Sequence, residues 1–282
     1  MKYAYFPGCT ISTTALEFGL STDAVCQALG VELVELEDWN CCGASSAHSL
    51  DHELAYALPA RNVAIAQKGE LDIVAPCPAC YQHTLAADLR LRQDEAWRRE
   101  MEAHFGFSYN GKGRTRHLLE VLSEPDVLEQ VRSLVKRPLA GLKVASYYGC
   151  VLVRPPQITG WDDPENPQRM DRVMEALGAE PVDWSYKVDC CGASMALSRA
   201  DIVIRLGTRL GEAAKEAGAD VFACACGICQ INLDTRQATT KIPALYFTEL
   251  MGLAMGLPGV NKWLGKHAID PRPVLRARGL LP

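Results

Sequence analysis

Two nearly identical words, NCCGAS at Asn40–Ser45 and DCCGAS at Asp189–Ser194, put adjacent cysteines into a chain that carries twelve cysteines in all. Each word belongs to a longer set. Cys9, Cys41, Cys42, Cys77 and Cys80 run Cys-x31-Cys-Cys-Gly-x33-Cys-x-x-Cys, and Cys150, Cys190, Cys191, Cys226 and Cys229 run Cys-x39-Cys-Cys-Gly-x33-Cys-x-x-Cys. Clustered thiols in a large chain without an export signal read as metal or redox chemistry. A structural zinc site takes four ligands, usually as two short Cys-x-x-Cys pairs. Each set here has one such pair and five thiols. The compact cysteine run of many cubane clusters is absent as well. Adjacent cysteines make better sense as ligands to different atoms of one polynuclear cluster, and soft thiolates suit iron–sulfur chemistry. The small Gly-Ala-Ser behind each pair lets backbone approach and offer N–H groups to cluster sulfurs, as a helix N-terminus would.

The elements that position these thiols also come in two copies. KYAYFPGC (Lys2–Cys9) matches KVASYYGC (Lys143–Cys150), and ALGVELVE (Ala28–Glu35) matches ALGAEPVD (Ala176–Asp183). LDIVAPCPAC (Leu71–Cys80) matches ADVFACACGIC (Ala219–Cys229), and RHLLEVL (Arg116–Leu122) echoes LYFTELM (Leu245–Met251). Four segments in the same order indicate a duplicated unit of about 140 residues, an ordinary domain size. The expected units are 1–138 and 139–282. Short β-branched or aromatic runs alternate with helical patterns such as Met170, Val173, Met174 and Leu177, which fall on one face. The expected fold class is α/β, two similar halves, each a small, largely parallel sheet flanked by helices. Each cysteine element follows a strand, so each set converges on one carboxyl edge, where open α/β sheets bind ligands. The first half carries a charged insertion near Leu91–Thr115, read as a solvated helix and loop.

Composition excludes several classes. The chain has 282 residues, 48% hydrophobic and 22% charged, with a net charge of −5. That is an ordinary globular balance without the basic excess of a nucleic-acid surface. No run approaches the ~18 apolar residues of a membrane span. The start MKYAYFPGCT has too short an apolar stretch for a signal peptide. A cytoplasmic protein is expected.

The double pattern resembles the cysteine-rich CCG domains of the catalytic B subunit of heterodisulfide reductase. The likeness extends over essentially the whole chain, through YFPGC (Tyr5–Cys9), YYGCVLVRPP (Tyr147–Pro156), WDDPENP (Trp161–Pro167) and KWLGKHAIDPRPVL (Lys262–Leu275). The resemblance implies two non-cubane [4Fe–4S] clusters held by the ten cysteines named above. It also implies a disulfide substrate, each sulfur meeting one cluster and receiving one electron. The usual partners of that family are a small ferredoxin-like subunit with two cubane clusters and a flavin-containing subunit, often one that bifurcates electrons. An alternative is an electron-transfer or scaffold subunit, since CCG repeats also occur in glycolate or lactate dehydrogenase complexes. A zinc-binding structural protein is the third reading.

Other residues invite roles. The loop RPPQITGWDDPENP (Arg154–Pro167) is a candidate pocket wall, with Arg154 for an anionic substrate tail and Trp161 as a cover. A plain surface loop is the alternative. Cys26 reads as a small core hydrophobe. Cys224 reads as a buried strand-end thiol or as a substitute ligand. His48 and His52 have chelating spacing, but Leu197 stands at the position matching His48, so they read as surface residues. Lys262, Lys266, Arg272, Arg276 and Arg278 near the end face a lone Asp270, a segment that could dock an acidic subunit or be a solvated tail.

Overall fold

The computed structural model describes residues 1–44, 47–161 and 163–282. It contains two parallel four-stranded sheets. The first has order β2-β1-β3-β4, from β1 (Lys2–Tyr5), β2 (Glu32–Glu35), β3 (Ile73–Ala75) and β4 (Thr115–His117). The second has order β6-β5-β7-β8, from β5 (Lys143–Tyr147), β6 (Glu180–Pro181), β7 (Val221–Cys224) and β8 (Ala244–Tyr246). The order is the same in both, as duplication requires.

Parallel neighbours need crossover connections, and helices supply them. Leu16–Ala28 links β1 to β2, His52–Gln67 leads into β3, and Pro78–Gln93 follows β3. Central strands covered on both faces should be apolar throughout. Val74, Ala75, Val144, Ala145, Phe222 and Ala223 are accordingly buried. Local signals set the helix ends. Asp51 accepts the Leu54 N–H at 2.9 Å to start one helix, and Gly106 ends Glu95–Phe105 in the left-handed conformation.

The structure departs from the sequence reading in two places. RHLLEVL and LYFTELM, which the sequence pairs only as an echo between the copies, begin as the edge strands β4 and β8, and their helices start only at Leu118 and Phe247. The insertion is not simply solvated either. Helix Glu95–Phe105 buries Trp97 and Met101, and the Arg90 guanidinium lies 4.4 Å from the Trp97 ring centroid.

The halves pack tightly. Phe18 stacks on Tyr246 with centroids 4.3 Å apart and planes 3° from parallel. The hydroxyls of Ser21 and Thr248 share a buried 2.7 Å hydrogen bond, and Tyr81 Oη donates to the Thr159 carbonyl at 3.0 Å. The C-terminal stretch is folded onto this body: Trp263, Leu264, Leu275 and Leu280 are buried. Two of its cations are internally paired, Arg272 with Asp270 and Arg278 with Asp220, both at 2.7 Å. Among the described residues, no helix is long and apolar enough to cross a membrane.

Candidate metal centre

The thiols of each set reach one end of their sheet. Cys9 lies in the short helix Gly8–Ile11 directly after β1, and Cys150 in the matching turn Cys150–Val153 after β5. Cys77 and Cys226 are the N-caps of helices Pro78–Gln93 and Gly227–Thr235, which place Cys80 and Cys229 one turn in. Cys42, Cys77 and Cys80 are buried while Cys9 and Cys41 are exposed. In the second set Cys191 and Cys229 are buried, Cys150 and Cys226 are half-buried and Cys190 is exposed. Each set is therefore anchored from below and open to one side.

Backbone shapes the floor. Gly8 and Gly149 have φ of +70° and +69°, and an added Cβ would lie 2.6 Å from Cys80 Sγ and 2.8 Å from Cys229 Sγ. Only glycine permits that approach. The N–H of Gly43 points at Cys41 Sγ (3.4 Å), and that of Gly192 at Cys190 Sγ (3.3 Å). Ala193 follows in a single turn, Ala193–Met195, where a longer helix was expected. Ser45, the last member of the first Gly-Ala-Ser, lies outside the described residues.

Shared protons favour the thiolate at Cys42, Cys77, Cys190 and Cys191, while burial raises Cys9. Hydrogen bonding from the Cys80 thiol, then from the Cys80 and Ala79 backbone and the Thr10 hydroxyl, lowers Cys77 to about 7 against burial. The Cys150 thiol, then the Gly192 and Ala193 N–H groups, lower Cys190 to about 6. Cys42 is lowered by the Cys80 thiol, and Cys191 by the Cys229 thiol with help from Asn232. The donors Cys80, Cys150 and Cys229 are raised in turn, each holding the proton it shares. Cys191 and Cys229 sulfurs stand 3.5 Å apart. Groups that already favour the anionic form are primed as soft-metal ligands.

This donor set fits a polynuclear iron–sulfur group. Among the described residues no three His, Cys, Asp or Glu side chains are gathered closely enough to hold a single metal ion. The soft thiols of each set stand over a glycine floor with the Gly43 and Gly192 N–H groups beside them, donors of the kind that cluster sulfurs accept.

The two sets adjoin. A Cβ on Gly227, between Cys226 and Cys229, would meet Ala15 Cβ at 3.1 Å and Thr10 Oγ1 at 3.6 Å. Thr10 follows Cys9 and bonds Cys77. The second Cys-x-x-Cys loop thus rests on the first Cys9 loop.

Supporting residues escaped the sequence reading. Asn62 Nδ2 donates to the Asn40 carbonyl (2.8 Å) and its Oδ1 accepts the Asn40 N–H (3.0 Å), clamping the first box. In the second, the Lys187 carbonyl accepts the N–H groups of Tyr148 (2.9 Å) and Gly149 (3.2 Å). Lys187 Nζ is buried 3.3 Å from Asp171 Oδ2, which also accepts from Tyr148 Oη at 3.1 Å. A lysine where the first copy has Asp38 was the available signal.

Arg154 is paired with Glu165 at 2.6 Å and is partly exposed. Trp161 is buried, 6.0 Å from the Tyr148 ring and 6.4 Å from the His117 ring, with the Arg169 guanidinium 5.5 Å from its centroid. Its neighbour Asp162 lies outside the described residues. Cys26 is a core thiol pushed up to about 12 by burial, then by Asp23. Cys224 is fully buried at the end of β7, raised by burial and by Cys226 and Cys191. His48 and His52 are exposed. Several apolar side chains within eight residues of a set cysteine in the sequence are also exposed, among them Leu50, Val151, Met195, Leu197 and Ile228.

The model of the CCG cysteine-rich domain matches the chain twice, over residues 3–84 and 144–234. The chain is 31% identical over 95% of its length to the 8-methylmenaquinol:fumarate reductase membrane anchor subunit of Wolinella succinogenes, covering 97% of it. It is 30% identical over 95% of its length to the B subunit of the ferredoxin/F(420)H(2)-dependent CoB-CoM heterodisulfide reductase of Methanosarcina acetivorans, covering 94% of it. A crystal structure of a hypothetical protein from Helicobacter pylori matches with a TM-score of 0.69 at 11% identity, over 95% of this chain and 52% of that one. That last likeness is one of fold.

Proposed function

The chain belongs to the cysteine-rich CCG-domain family, together with proteins named as B subunits of heterodisulfide reductase, and from that premise we propose that it is the catalytic subunit of a heterodisulfide-reductase-like complex. The observation that carries this reading is the juxtaposition of two complete five-thiol sets, the Gly227 loop against the Thr10 loop. The units 1–138 and 139–282 each hold one non-cubane [4Fe–4S] cluster on their five cysteines. When bound, such clusters supply one electron each, and a disulfide takes two electrons and two protons to give two thiols.

The chain's own residues orient and shield. The buried thiols Cys42, Cys77, Cys80, Cys191 and Cys229 anchor the metal groups away from water, and the exposed Cys41 and Cys190 sit at the open side. Arg154 meets an anionic substrate tail by exchanging Glu165 for it, which costs little because the pair is partly exposed. Trp161 anchors the loop that walls this side. Electrons arrive from a ferredoxin-like two-cluster subunit and a flavin-containing subunit in the cytoplasm.

A second reading has its own support. The relative named a fumarate reductase membrane anchor subunit, and the exposed apolar side chains close to the thiols in sequence, suit a subunit that passes electrons between partner proteins without disulfide chemistry. Steady-state assay of the assembled complex with disulfide substrates separates the two. Turnover lost on Cys42→Ser or Cys191→Ser supports the reductase; a complex that never reduces a disulfide while its clusters cycle supports the electron carrier.

A further inference from the structure

The word KHAID (Lys266–Asp270) supplies no thiol, yet its histidine side chain is wholly buried against a wholly buried glutamate. His267 Nε2 stands 3.0 Å from Glu249 Oε1, and Glu249 Oε2 accepts the Tyr246 N–H at 2.9 Å. On its other side the ring meets Gln230 Nε2 at 3.0 Å. Two further partners orient that amide. Gln230 Nε2 also donates to the Ala244 carbonyl at 2.9 Å, and its Oε1 accepts from Tyr246 Oη at 3.2 Å. His267 Nδ1 is therefore the acceptor, and the ring proton on Nε2 faces Glu249.

Gln230 directly follows Cys229, and its own N–H donates to the Cys226 carbonyl at 2.9 Å, closing the turn that holds both cysteines. Four residues further along the same helix, Asp234 accepts the N–H groups of Ala268 (2.6 Å) and Ile269 (2.9 Å). Three consecutive residues, His267, Ala268 and Ile269, thus grip helix Gly227–Thr235 at two points one turn apart.

We infer that His267 is a positioning residue: with Ala268 and Ile269 it clasps the helix that carries Cys229 and so fixes the second Cys-x-x-Cys turn. The use of the clasp rests on the proposed function, in which that turn holds one metal group at a set distance from the other. The clasp itself rests on the hydrogen bonds. Opening it would strand the Glu249 carboxylate in the core, which makes the fastening costly to undo. The first half is built differently. Tyr81 stands where Gln230 does and donates to the Thr159 carbonyl at 3.0 Å, and Leu85 stands where Asp234 does. Glu120, the match of Glu249, pairs with Arg116 at 3.0 Å. The C-terminal stretch therefore serves the second thiol set from within the fold.

The test uses the full chain with and without metal. His267→Phe keeps the ring's bulk but removes the acceptor for Gln230 and the donor for Glu249. In the metal-free chain, pulse alkylation with iodoacetamide read by peptide mass spectrometry should quicken at Cys229 by about fivefold, the effect of one lost buried hydrogen bond on local opening. Cys80, the matching thiol of the first set, should hold its rate. His267→Gln, whose amide offers both an acceptor and a donor, should keep Cys229 slow, as should a change at the exposed neighbour, Lys266→Ala. Asp234→Asn keeps one of the two acceptors and leaves Glu249 paired; it should quicken Cys229 alone, and it decides by itself if His267→Phe does not fold. An unchanged Cys229 rate, equal acceleration at Cys80, or a Gln variant as fast as Phe overturns the inference. In iron-loaded protein, one midpoint potential should move in His267→Phe and the other stay, at unchanged iron content; movement of both or of neither contradicts it. A wild-type chain that binds no iron defeats the proposed function, while the labelling result still decides on His267.

Discussion

Gly8 and Cys80 approach so closely that a methyl group on Gly8 would stand 2.6 Å from the cysteine sulfur. The positive φ of Gly8 adds backbone strain to any replacement. Gly8→Ala should therefore displace Cys80 and empty the first set, leaving about four of the ~eight irons that two four-iron clusters contain. Gly149→Ala should do the same through Cys229. Iron analysis after anaerobic purification checks both; full iron content in either variant would show that the cradle tolerates a side chain.

The metal-free chain should have one unusually reactive exposed thiol. Cys190, lowered to about 6 by the Cys150 thiol and the Gly192 and Ala193 N–H groups, is already thiolate at neutral pH. Its alkylation rate should rise to a plateau with a half-point near 6, and Cys150→Ala should move that half-point upward. A profile centred near the ordinary cysteine value of about 8.5 contradicts the assignment. A depressed acid also stabilises the fold above its unfolded pKa. That contribution is lost as pH falls through about 6.

Lys187 and Asp171 form a buried ion pair beneath the second box, with 4% and 7% of their side chains exposed. Burial raises the Asp171 carboxyl, and Lys187 opposes that shift. Lys187→Met strands the carboxylate and should destabilise the chain by about 3–5 kcal/mol, most of it recovered by adding Asp171→Leu. Chemical denaturation of the wild type and these two variants measures this. A loss below about 1 kcal/mol would mean that the lysine is dispensable.

The ten cysteines were legible because their types, order and spacing recur; no structure was needed to pair Cys41 with Cys190. The α/β alternation showed for the same reason. The strands β4 and β8 were not legible, since three residues run directly into an apolar helix and RHLLEVL carries no turn between them. His117 stayed hidden in that word, because its partner Pro76 is remote in sequence. The burial of Trp97 and Met101 was masked by the charges around them, the usual look of one apolar stripe on a polar helix.

Phe18 and Tyr246 join the halves by a fully buried stack. Phe18→Ala should cost about 3–5 kcal/mol and loosen the relation of the two sets. Hydrogen exchange should then rise in helices Leu16–Ala28 and Phe247–Met255 together. Exchange confined to the first helix would show that the stack does not join them.

On the proposed function, each adjacent cysteine pair belongs to its own iron–sulfur cluster. Mössbauer spectroscopy and iron analysis of anaerobically purified wild-type, Cys42→Ser and Cys191→Ser protein test it most directly. The wild type should hold about eight irons, and each variant should lose one cluster's spectrum, a different one in each. Stoichiometric zinc without iron, or unchanged spectra in both variants, would contradict it.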